Sequence, residues 1–454
     1  MIKINSTFKK TVIYTIPALF ILVSFSRSKH LKRLIFQKRD EQPTEITNKI
    51  YSYEERIKRL KEDIQLDPQN VELKFTLARL YNILGRCQEA VDQYFTILQL
   101  EPNNYKAMYK AGYSFQVKGD IQKAVKQYND VLKQIPSCKP ILYMKSLAYL
   151  YDGDFTNGWR QYTAWLKKEK RYAENLHTWI KNNELQGKRI LLTPEGGLGD
   201  TIQFIRYAEE LKKRGAHVTV LAQKPLKHLL SRCTYIDELL VDKKNINKHY
   251  DAIASIMSLP ALFESDEKAI PKNIPYIYPD KKLVKQWNNT FANKKTFNVG
   301  ICWKADSRGD KSRLLVGHRS IPIKQLEPLS SLENVAFYSL LKEDRTNDLK
   351  DLPPHFVVNT FGPDYDSKNG AFMDSAAIIP QFDLVITVDT SVAHLAGALG
   401  APVFLILPYD CSWRWILHRA DSPWYPNMKI FKQPAPFDWQ SVVEMVKTAL
   451  RRTL

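Results

Sequence analysis

Residues 382–407, FDLVITVDTSVAHLAGALGAPVFLIL, contain two apolar runs on either side of a run of small residues. The pattern predicts a strand over Phe382–Val388, a helix over Val392–Leu399 and a strand over Ala401–Leu407. Strands that are apolar throughout and joined by a helix are typical of a parallel sheet covered on both faces. This stretch therefore assigns the C-terminal part of the chain to the α/β class.

Three polar residues, Asp389, Thr390 and Ser391, directly follow the first of these strands. Free N–H groups at the helix start would bind a phosphate beside Thr390 and Ser391. Asp389 would lie at the carboxyl edge of the sheet, where ligands bind in such folds. His394 lies one turn into the helix, and the sequence leaves open whether its ring faces a cleft or the core.

A second unit of the same kind begins after Gly187. Arg189–Thr193 predicts a buried strand, and Pro194–Asp200 (PEGGLGD) a glycine-rich loop. Thr201–Arg214 predicts an amphipathic helix, and His217–Ala222 the next strand. A strand, a glycine-rich loop and a helix in this order form a ligand-binding β-loop-α unit.

The glycine-rich loop does not match two common nucleotide-binding signatures. GGLGD lacks the GxGxxG spacing, and Gln223 and Lys224 stand where a nicotinamide enzyme has an acid for the ribose. No Gly-Lys-Ser/Thr follows, as a phosphate-binding P-loop requires. Oxidoreductase and NTPase functions are therefore disfavoured.

Asp200 is the candidate catalytic residue of this loop. A carboxylate at a helix start interacts favourably with the helix dipole and suits a base that deprotonates a sugar hydroxyl. The alternative is that Asp200 only caps the helix. Gly197 and Gly199 would allow a ligand to approach the backbone closely.

A loop with six basic side chains follows a further predicted strand, residues 297–303 (FNVGICW). The basic residues are Lys304, Arg308, Lys311, Arg313, His318 and Arg319. Such a loop has the charge to bind a diphosphate, with Lys304 and Arg319 as the candidates. A solvated basic loop is the alternative.

A 34-residue repeat extends from residue 67 to about residue 166. The recurring positions are Pro68, Pro102 and Pro136; Gly85, Gly119 and Gly153; Ala90, Ala124 and Gly158; Tyr94, Tyr128 and Tyr162; and Leu98, Leu132 and Leu166. The period and residue types are those of the tetratricopeptide repeat, in which helix pairs stack on one another. We expect the prolines at helix starts, the glycines at turns, and residues 44–65 as a cap. The array would bind a protein partner in its groove, or serve as a spacer or dimerisation element.

The first 43 residues form a basic and apolar leader. Residues 11–25 are uncharged, but a membrane-spanning helix usually takes ~20 residues. Because basic residues flank this run, we expect residues 11–39 to attach the chain weakly to the inner face of a membrane. The alternative is a disordered leader or a wrongly assigned start site. The expected location of the rest is the cytoplasm.

The charge and the cysteines narrow the function classes. The net charge of +19 is partly concentrated in the leader, and no basic stripe interleaved with aromatic residues is present, which disfavours nucleic-acid binding. The five cysteines show no pairing motif and no metal-ligand spacing, as expected in a reducing compartment. We predict neither a metal site nor a bound cofactor.

Two motifs carry a family resemblance: GGLGDTIQFIRY at residues 196–207 and VDTSVAHLAGALGAP at residues 388–402. Together they resemble glycosyltransferase family 9, the heptosyltransferase family, and more closely its bacterial members with preceding tetratricopeptide repeats. HRSIP at residues 318–322 and DSPWYPNMKIFKQ at residues 421–433 also look like that subgroup. The similarity covers about residues 67–450.

The resemblance implies a GT-B fold, in which two Rossmann-like domains face each other across a cleft and a metal-independent reaction inverts the sugar. The expected domains are the leader (1–43), the repeats (44–186), an N-terminal Rossmann-like domain (187–290) and a C-terminal one that binds the nucleotide sugar (291–454). By resemblance Asp200 is the general base, and the donor-binding residues are Gly197, Gly199, Lys304, Arg319, Asp389, Thr390, Ser391 and His394. PYDCSWRW at residues 408–415 departs from the family's Gly-Pro-Thr-type turn, as does the loop after Trp303.

The sequence therefore predicts a glycosyltransferase that moves a sugar from a nucleotide-diphosphate donor to a glycan, lipid or protein acceptor. Two alternatives remain. In the first, the chain is a non-catalytic scaffold whose repeats recruit a partner while the α/β unit senses a nucleotide sugar. In the second, the chain is a protein O-glycosyltransferase.

Overall fold

Stacked helix pairs and two parallel sheets form the framework of the described residues. The computed structural model describes residues 45–246, 248–291, 296–305, 319–342 and 345–454. The leader 1–43 and four residues of the basic loop, Arg308, Lys311, Arg313 and His318, lie outside the described residues. Arg56–Leu454 forms one compact unit, which contains the repeats and both sheets.

The repeat region consists of consecutive helices. They are α1 (Glu45–Leu66), α2 (Val71–Ile83), α3 (Cys87–Leu100), α4 (Tyr105–Lys118), α5 (Ile121–Gln134), α6 (Lys139–Tyr151), α7 (Phe155–Lys168) and α8 (Glu174–Asn182). The tyrosine of each repeat is buried, at 0–2% exposure for Tyr94, Tyr128 and Tyr162. These rings fill the seams between neighbouring helices, as the 34-residue period predicts.

The repeated glycines and prolines both lie in turns. Gly85, Gly119 and Gly153 have φ values of 69°, 93° and 84°, which favour glycine, and each links the two helices of a pair. The prolines lie in the turns between pairs rather than at helix starts, so that part of the prediction was wrong. Pro68, for example, follows the end of α1, and Asn70 caps α2 by accepting from the Leu73 N–H at 3.1 Å. Proline suits such a turn because it cannot continue the preceding helix.

The first α/β half contains a four-stranded parallel sheet in the order β3-β2-β1-β4. Its elements are β1 (Arg189–Thr193), α9 (Leu198–Phe204), α10 (Arg206–Lys213), β2 (His217–Leu221), α11 (Lys227–Leu230), β3 (Glu238–Leu240), β4 (Ala252–Ser255), α12 (Leu259–Leu262) and α13 (Lys281–Trp287). The central strand β1 matches its predicted bounds. The predicted helix over 201–214 instead starts three residues earlier, at Leu198, and is divided at Ile205.

The second half contains a six-stranded parallel sheet in the order β10-β9-β8-β5-β6-β7. Its elements are β5 (Phe297–Cys302), β6 (Val335–Ser339), β7 (Val358–Asn359), α14 (Met373–Ile378), β8 (Leu384–Val388), α15 (Ser391–Leu399), β9 (Val403–Leu407), β10 (Met428–Lys432) and α16 (Trp439–Arg451). In both sheets a central strand precedes a predicted binding loop. A helical array followed by two parallel-sheet α/β halves confirms the predicted fold class at that level.

The repeats pack directly on the second half. The Leu417 N–H donates to the Tyr151 carbonyl at 2.8 Å, and the Tyr113 hydroxyl donates to Asp410 Oδ2 at 2.8 Å. One continuous set of buried apolar side chains extends from the repeats through both sheets. The array is therefore part of the same core as the α/β halves, and a detached spacer is excluded for these residues.

Among the described residues, all five cysteines are present as free thiols, and four of them are buried. None of the helices described here combines the length and the apolar character needed to cross a membrane.

Candidate active site

The glycine-rich loop after β1 presents Asp200 in the first turn of α9. Gly196 has a φ of 76°, and the helix begins two residues later, at Leu198. The Gly197 N–H donates to Asp200 Oδ2 at 2.6 Å, so this oxygen satisfies an N–H group that the helix leaves free. Oδ2 of Asp200 therefore caps the helix, as the alternative interpretation expects, whereas Oδ1 does not take part in capping.

The second half supplies the start of α15. Asp389 follows β8 and is 4% exposed, and Thr390 has extended backbone angles and precedes the helix that Ser391 begins. Arg319 Nη1 donates to the Asp389 carbonyl at 3.2 Å. The predicted donor residues Arg319, Asp389, Thr390 and Ser391 therefore lie together at the carboxyl edge of the second sheet.

The starts of α9 and α15 pack against each other at Gly199. A Cβ atom on Gly199 would lie 2.7 Å from His394 Cδ2 and 3.4 Å from Ser391 Cα. Because no side chain fits in that space, glycine is what allows this close approach. The contact brings the predicted base loop and the predicted donor helix to one place.

The His394 ring lies in the core rather than in a cleft. It is 4% exposed, its Nδ1 lies 2.9 Å from the Tyr425 hydroxyl, and it stacks on Trp415 with centroids 5.2 Å apart. Burial lowers the pKa of His394 to about 4, while the nearby charges of Asp389 and Asp200 act in the opposite direction. The ring is therefore neutral at pH 7, and its position makes it a support for α15 rather than a donor ligand.

Arg414 completes the site and was not among the sequence predictions. Its Nη2 donates to Asp200 Oδ1 at 2.5 Å, and its Nε donates to Gln203 Oε1 at 3.0 Å. The guanidinium also lies 4.6 Å from the Trp413 ring centroid. The side chains of Arg414 and Asp200 are 11% and 21% exposed, so the ion pair is largely shielded from water.

Arg414 belongs to PYDCSWRW, the segment that departs from the family pattern. The sequence assigns no role to the arginine that stands between the two tryptophans of this segment. The repeats hold this segment in place through the contacts that Tyr151 and Tyr113 make on either side of Arg414. The one feature of the sequence that could have indicated a role for Arg414 is its place between two tryptophans shortly after a predicted strand.

The Lys304 side chain bonds to residues other than those of the candidate site. Its Nζ lies 2.8 Å from Asp348 Oδ1 and donates to the Arg345 carbonyl at 2.8 Å. The ion pair neutralises the charge that was expected to clamp a diphosphate. The prediction that Lys304 binds the donor therefore lacks the free cation on which it depended.

The last repeat also reaches the glycine-rich loop. Arg171, which follows α7, forms an ion pair with Glu195 at 2.9 Å, and Glu195 accepts a hydrogen bond from Ser255. Glu195 lies five residues before Asp200 in the same loop. The repeats thus help to position both the glycine-rich loop and the Arg414 segment.

No group of three or more histidine, cysteine or acidic side chains that would hold a metal ion occurs among the residues described. The carboxylates of the Asp364-Tyr365-Asp366 sequence include one that bonds to the backbone. Asp366 is buried and accepts from the N–H groups of Asp374 and Ser375 at 2.9 and 3.0 Å, at the start of α14.

Comparisons with known proteins give distant similarities. No family model matches the chain. Protein FlbA of Caulobacter vibrioides is 25% identical over 289 residues, which cover 59% of this chain and 47% of that protein. The chain thus spans about half the length of this curated relative.

Solved structures of other proteins are similar to portions of this chain. A glycosyl transferase family 9 protein from Veillonella parvula covers 59% of this chain and 90% of its own (12% identity, TM-score 0.42). The ADP-heptose lipopolysaccharide heptosyltransferase II of E. coli covers 58% and 99% (13%, TM-score 0.40). MamA from Desulfovibrio magneticus covers 29% and 75% (22%, TM-score 0.24).

Proposed function

We propose that this chain is a glycosyltransferase that uses a nucleotide-diphosphate sugar. The observation that carries the proposal is the contact at Gly199, which joins the Asp200 loop of one parallel sheet to the start of α15 on the other. A carboxylate on one side and free helix N–H groups on the other suit an acceptor hydroxyl and a diphosphate. The two glycine-and-acid motifs, with their resemblance to family 9, support the same function.

The reaction would be a direct displacement at the anomeric carbon. The acceptor oxygen forms a bond to that carbon, the bond to the diphosphate oxygen breaks, and the electron pair leaves with the diphosphate. Asp200 accepts the proton of the acceptor hydroxyl. Base assistance of this kind contributes about 100- to 10,000-fold in rate. Inversion and independence of metal ions are part of the proposal and follow from the family resemblance.

The departing diphosphate would bind at the start of α15. The N–H groups near Thr390 and Ser391 and the guanidinium of Arg319 supply positive charge there. In this scheme Arg414 first holds Asp200 in position until the substrates bind. It then helps to stabilise the negative charge that develops on the departing diphosphate. Such preorganised charge stabilisation is often the largest contribution to catalysis.

A protein that binds nucleotide sugars without turnover is the second candidate. It is favoured by one observation, namely that both carboxylate oxygens of Asp200 already accept hydrogen bonds, from Gly197 and Arg414. Release of nucleotide diphosphate by the purified protein, with or without an acceptor, separates an enzyme from a sensor.

The first test is a thermal-shift screen of the full chain with ADP-, GDP- and UDP-sugars. A ligand present at about 100 times its dissociation constant adds about 2.7 kcal/mol to the free energy of unfolding. We expect one donor class to raise the melting temperature of the wild type and of Ser441→Asp. Ser391→Asp should abolish the shift, since its carboxylate would repel the diphosphate.

Ser441 is a matched control because it also lies in the first turn of a helix, α16, in the same half of the chain. An added carboxylate is compatible with the helix dipole at both positions. If no nucleotide sugar shifts the wild type, or if Ser391→Asp responds like the wild type, the proposed donor site is wrong.

A further inference from the structure

The last repeat differs from the one before it at the tyrosine that fills its helix seam. The Tyr128 hydroxyl donates to Gln116 at 3.3 Å. The equivalent Tyr162 is 2% exposed, and its hydroxyl has no hydrogen-bond partner among the described residues. The reason is that Leu150 stands 34 residues after Gln116, so the last repeat has lost the partner. A buried phenol without a partner is costly unless something else bonds to it.

A second change places a tryptophan beside this phenol. The positions equivalent to Trp165 are Ile97 and Val131, both fully buried aliphatic residues. Trp165 is only partly buried, and its ring lies 5.1 Å from Tyr162 and 4.8 Å from Tyr143, centroid to centroid. The last repeat therefore places two partly exposed rings, those of Tyr143 and Trp165, side by side on the buried Tyr162.

Two of these rings lie close to charged groups around the candidate active site. Burial raises the pKa of Tyr143, and the charges of Arg414, Glu195 and Asp200 act on it to a smaller extent. The equivalent Tyr109 in the preceding repeat is affected by burial alone. The Arg171 guanidinium, which pairs with Glu195, lies 5.4 Å from the Trp165 ring. Trp165 and Tyr143 are thus connected through Arg171 and Glu195 to the loop that carries Asp200.

We propose that Tyr143 and Trp165, which pack on the buried Tyr162, form the acceptor subsite, and that the acceptor is a glycan whose terminal sugar packs on these two partly exposed rings. The inference rests on the proposed function, because it takes Asp200 as the base. The C–H face of a pyranose is apolar and packs on aromatic rings, while its hydroxyls need carboxylate and guanidinium partners. Glu195 and Arg171 supply those partners. The helical array then has a direct part in substrate recognition.

The test measures transfer from the donor found by thermal shift to a panel of methyl hexopyranosides, together with donor hydrolysis, using the full chain. In Tyr143→Ala and Trp165→Ala the ratio of transfer to hydrolysis should fall about tenfold or more, mainly through a higher KM for the pyranoside. Tyr109→Ala, the matched control one repeat earlier, should keep the wild-type ratio. Melting temperatures verify that each variant is folded.

Saturation-transfer NMR with the same pyranosides gives a readout that needs no turnover. We expect binding to the wild type and to Tyr109→Ala, and a loss of signal in Tyr143→Ala. An unchanged transfer ratio in Tyr143→Ala and Trp165→Ala overturns the proposal, as does transfer to protein side chains, detected by intact mass, without transfer to any pyranoside. Pyranoside binding without any donor turnover would retain the sugar subsite and reject the glycosyltransferase function.

Discussion

Replacing Arg414 with methionine tests how strongly this residue joins the two halves of the site. The substitution removes the charge but keeps an apolar stem that packs against Trp413. It breaks the 2.5 Å contact to Asp200 and the 3.0 Å bond to Gln203. The shielded carboxylate of Asp200 is then left without its cation. The buried amide of Gln203 loses the partner of its Oε1, and its Nε2 already has no partner among the described residues.

The expected magnitude follows from burial. Exposed ion pairs contribute about 0–1 kcal/mol, whereas breaking a buried pair costs about 3–5 kcal/mol. With exposures of 11% and 21%, the pair of Arg414 and Asp200 lies between these limits. We expect Arg414→Met to lower the free energy of unfolding by about 2–3 kcal/mol.

Arg419→Met is the matched control. Arg419 lies five residues further along the chain and pairs with Asp421 and Glu267, whose side chains are 65% and 51% exposed. Although it makes two ion pairs, water screens both, and we expect a loss of about 1 kcal/mol or less. Urea unfolding followed by tryptophan fluorescence measures both variants.

A double-mutant cycle with Asp200→Asn separates the pair from the packing. Arg414 and Asp200 are in contact, so their combined effect should differ from the sum of the single effects by about 1–2 kcal/mol. If Arg414→Met costs no more than Arg419→Met, or if the cycle is additive within about 0.5 kcal/mol, the ion pair does not link the two halves energetically.

Three further changes test neighbouring contacts by unfolding measurements. Gly199→Ala should cost about 1–3 kcal/mol, because its Cβ would lie 2.7 Å from the packed His394 ring; an unchanged stability would contradict the close contact of α9 and α15. The lowered pKa of His394 means that, from pH 6.5 down to about 4, the unfolded chain binds a proton that the folded ring does not. Stability should therefore fall by at most about 1.4 kcal/mol per pH unit, and His394→Gln should lack this component. Gly119→Ala should destabilise more than Gly187→Ala. Both glycines have positive φ, but only a Cβ on Gly119 meets Leu417, at 3.0 Å; equal losses would argue against tight docking of the repeats.

Local sequence patterns predicted the fold because the burial of apolar side chains on one face of a helix or strand is visible over short stretches of sequence. The 34-residue spacing and the apolar runs at residues 189–193 and 384–388 reflect which side chains face the core. The errors are also local. The proline of each repeat ends one helix rather than starting the next, and α9 begins at Leu198 because the third residue of its first turn, Asp200, can bond back to Gly197.

The sequence predicted the position of candidate site residues only in loops that follow a strand. Asp200 and Asp389 follow strands, so their position at a sheet edge followed from the fold class. Arg414 reaches Asp200 across 214 residues of sequence, and no local pattern carries that information. Tyr425 and Asp348 likewise decide the positions of His394 and Lys304, and both partners come from distant segments.

The central claim is that Asp200 takes the proton of the acceptor while the start of α15 holds the donor. Sugar transfer by Asp200→Asn, measured together with the donor-induced rise in melting temperature, tests this claim most directly. We predict that transfer falls by at least about 100-fold while the rise in melting temperature is retained. A variant that transfers sugar at close to the wild-type rate would contradict the account.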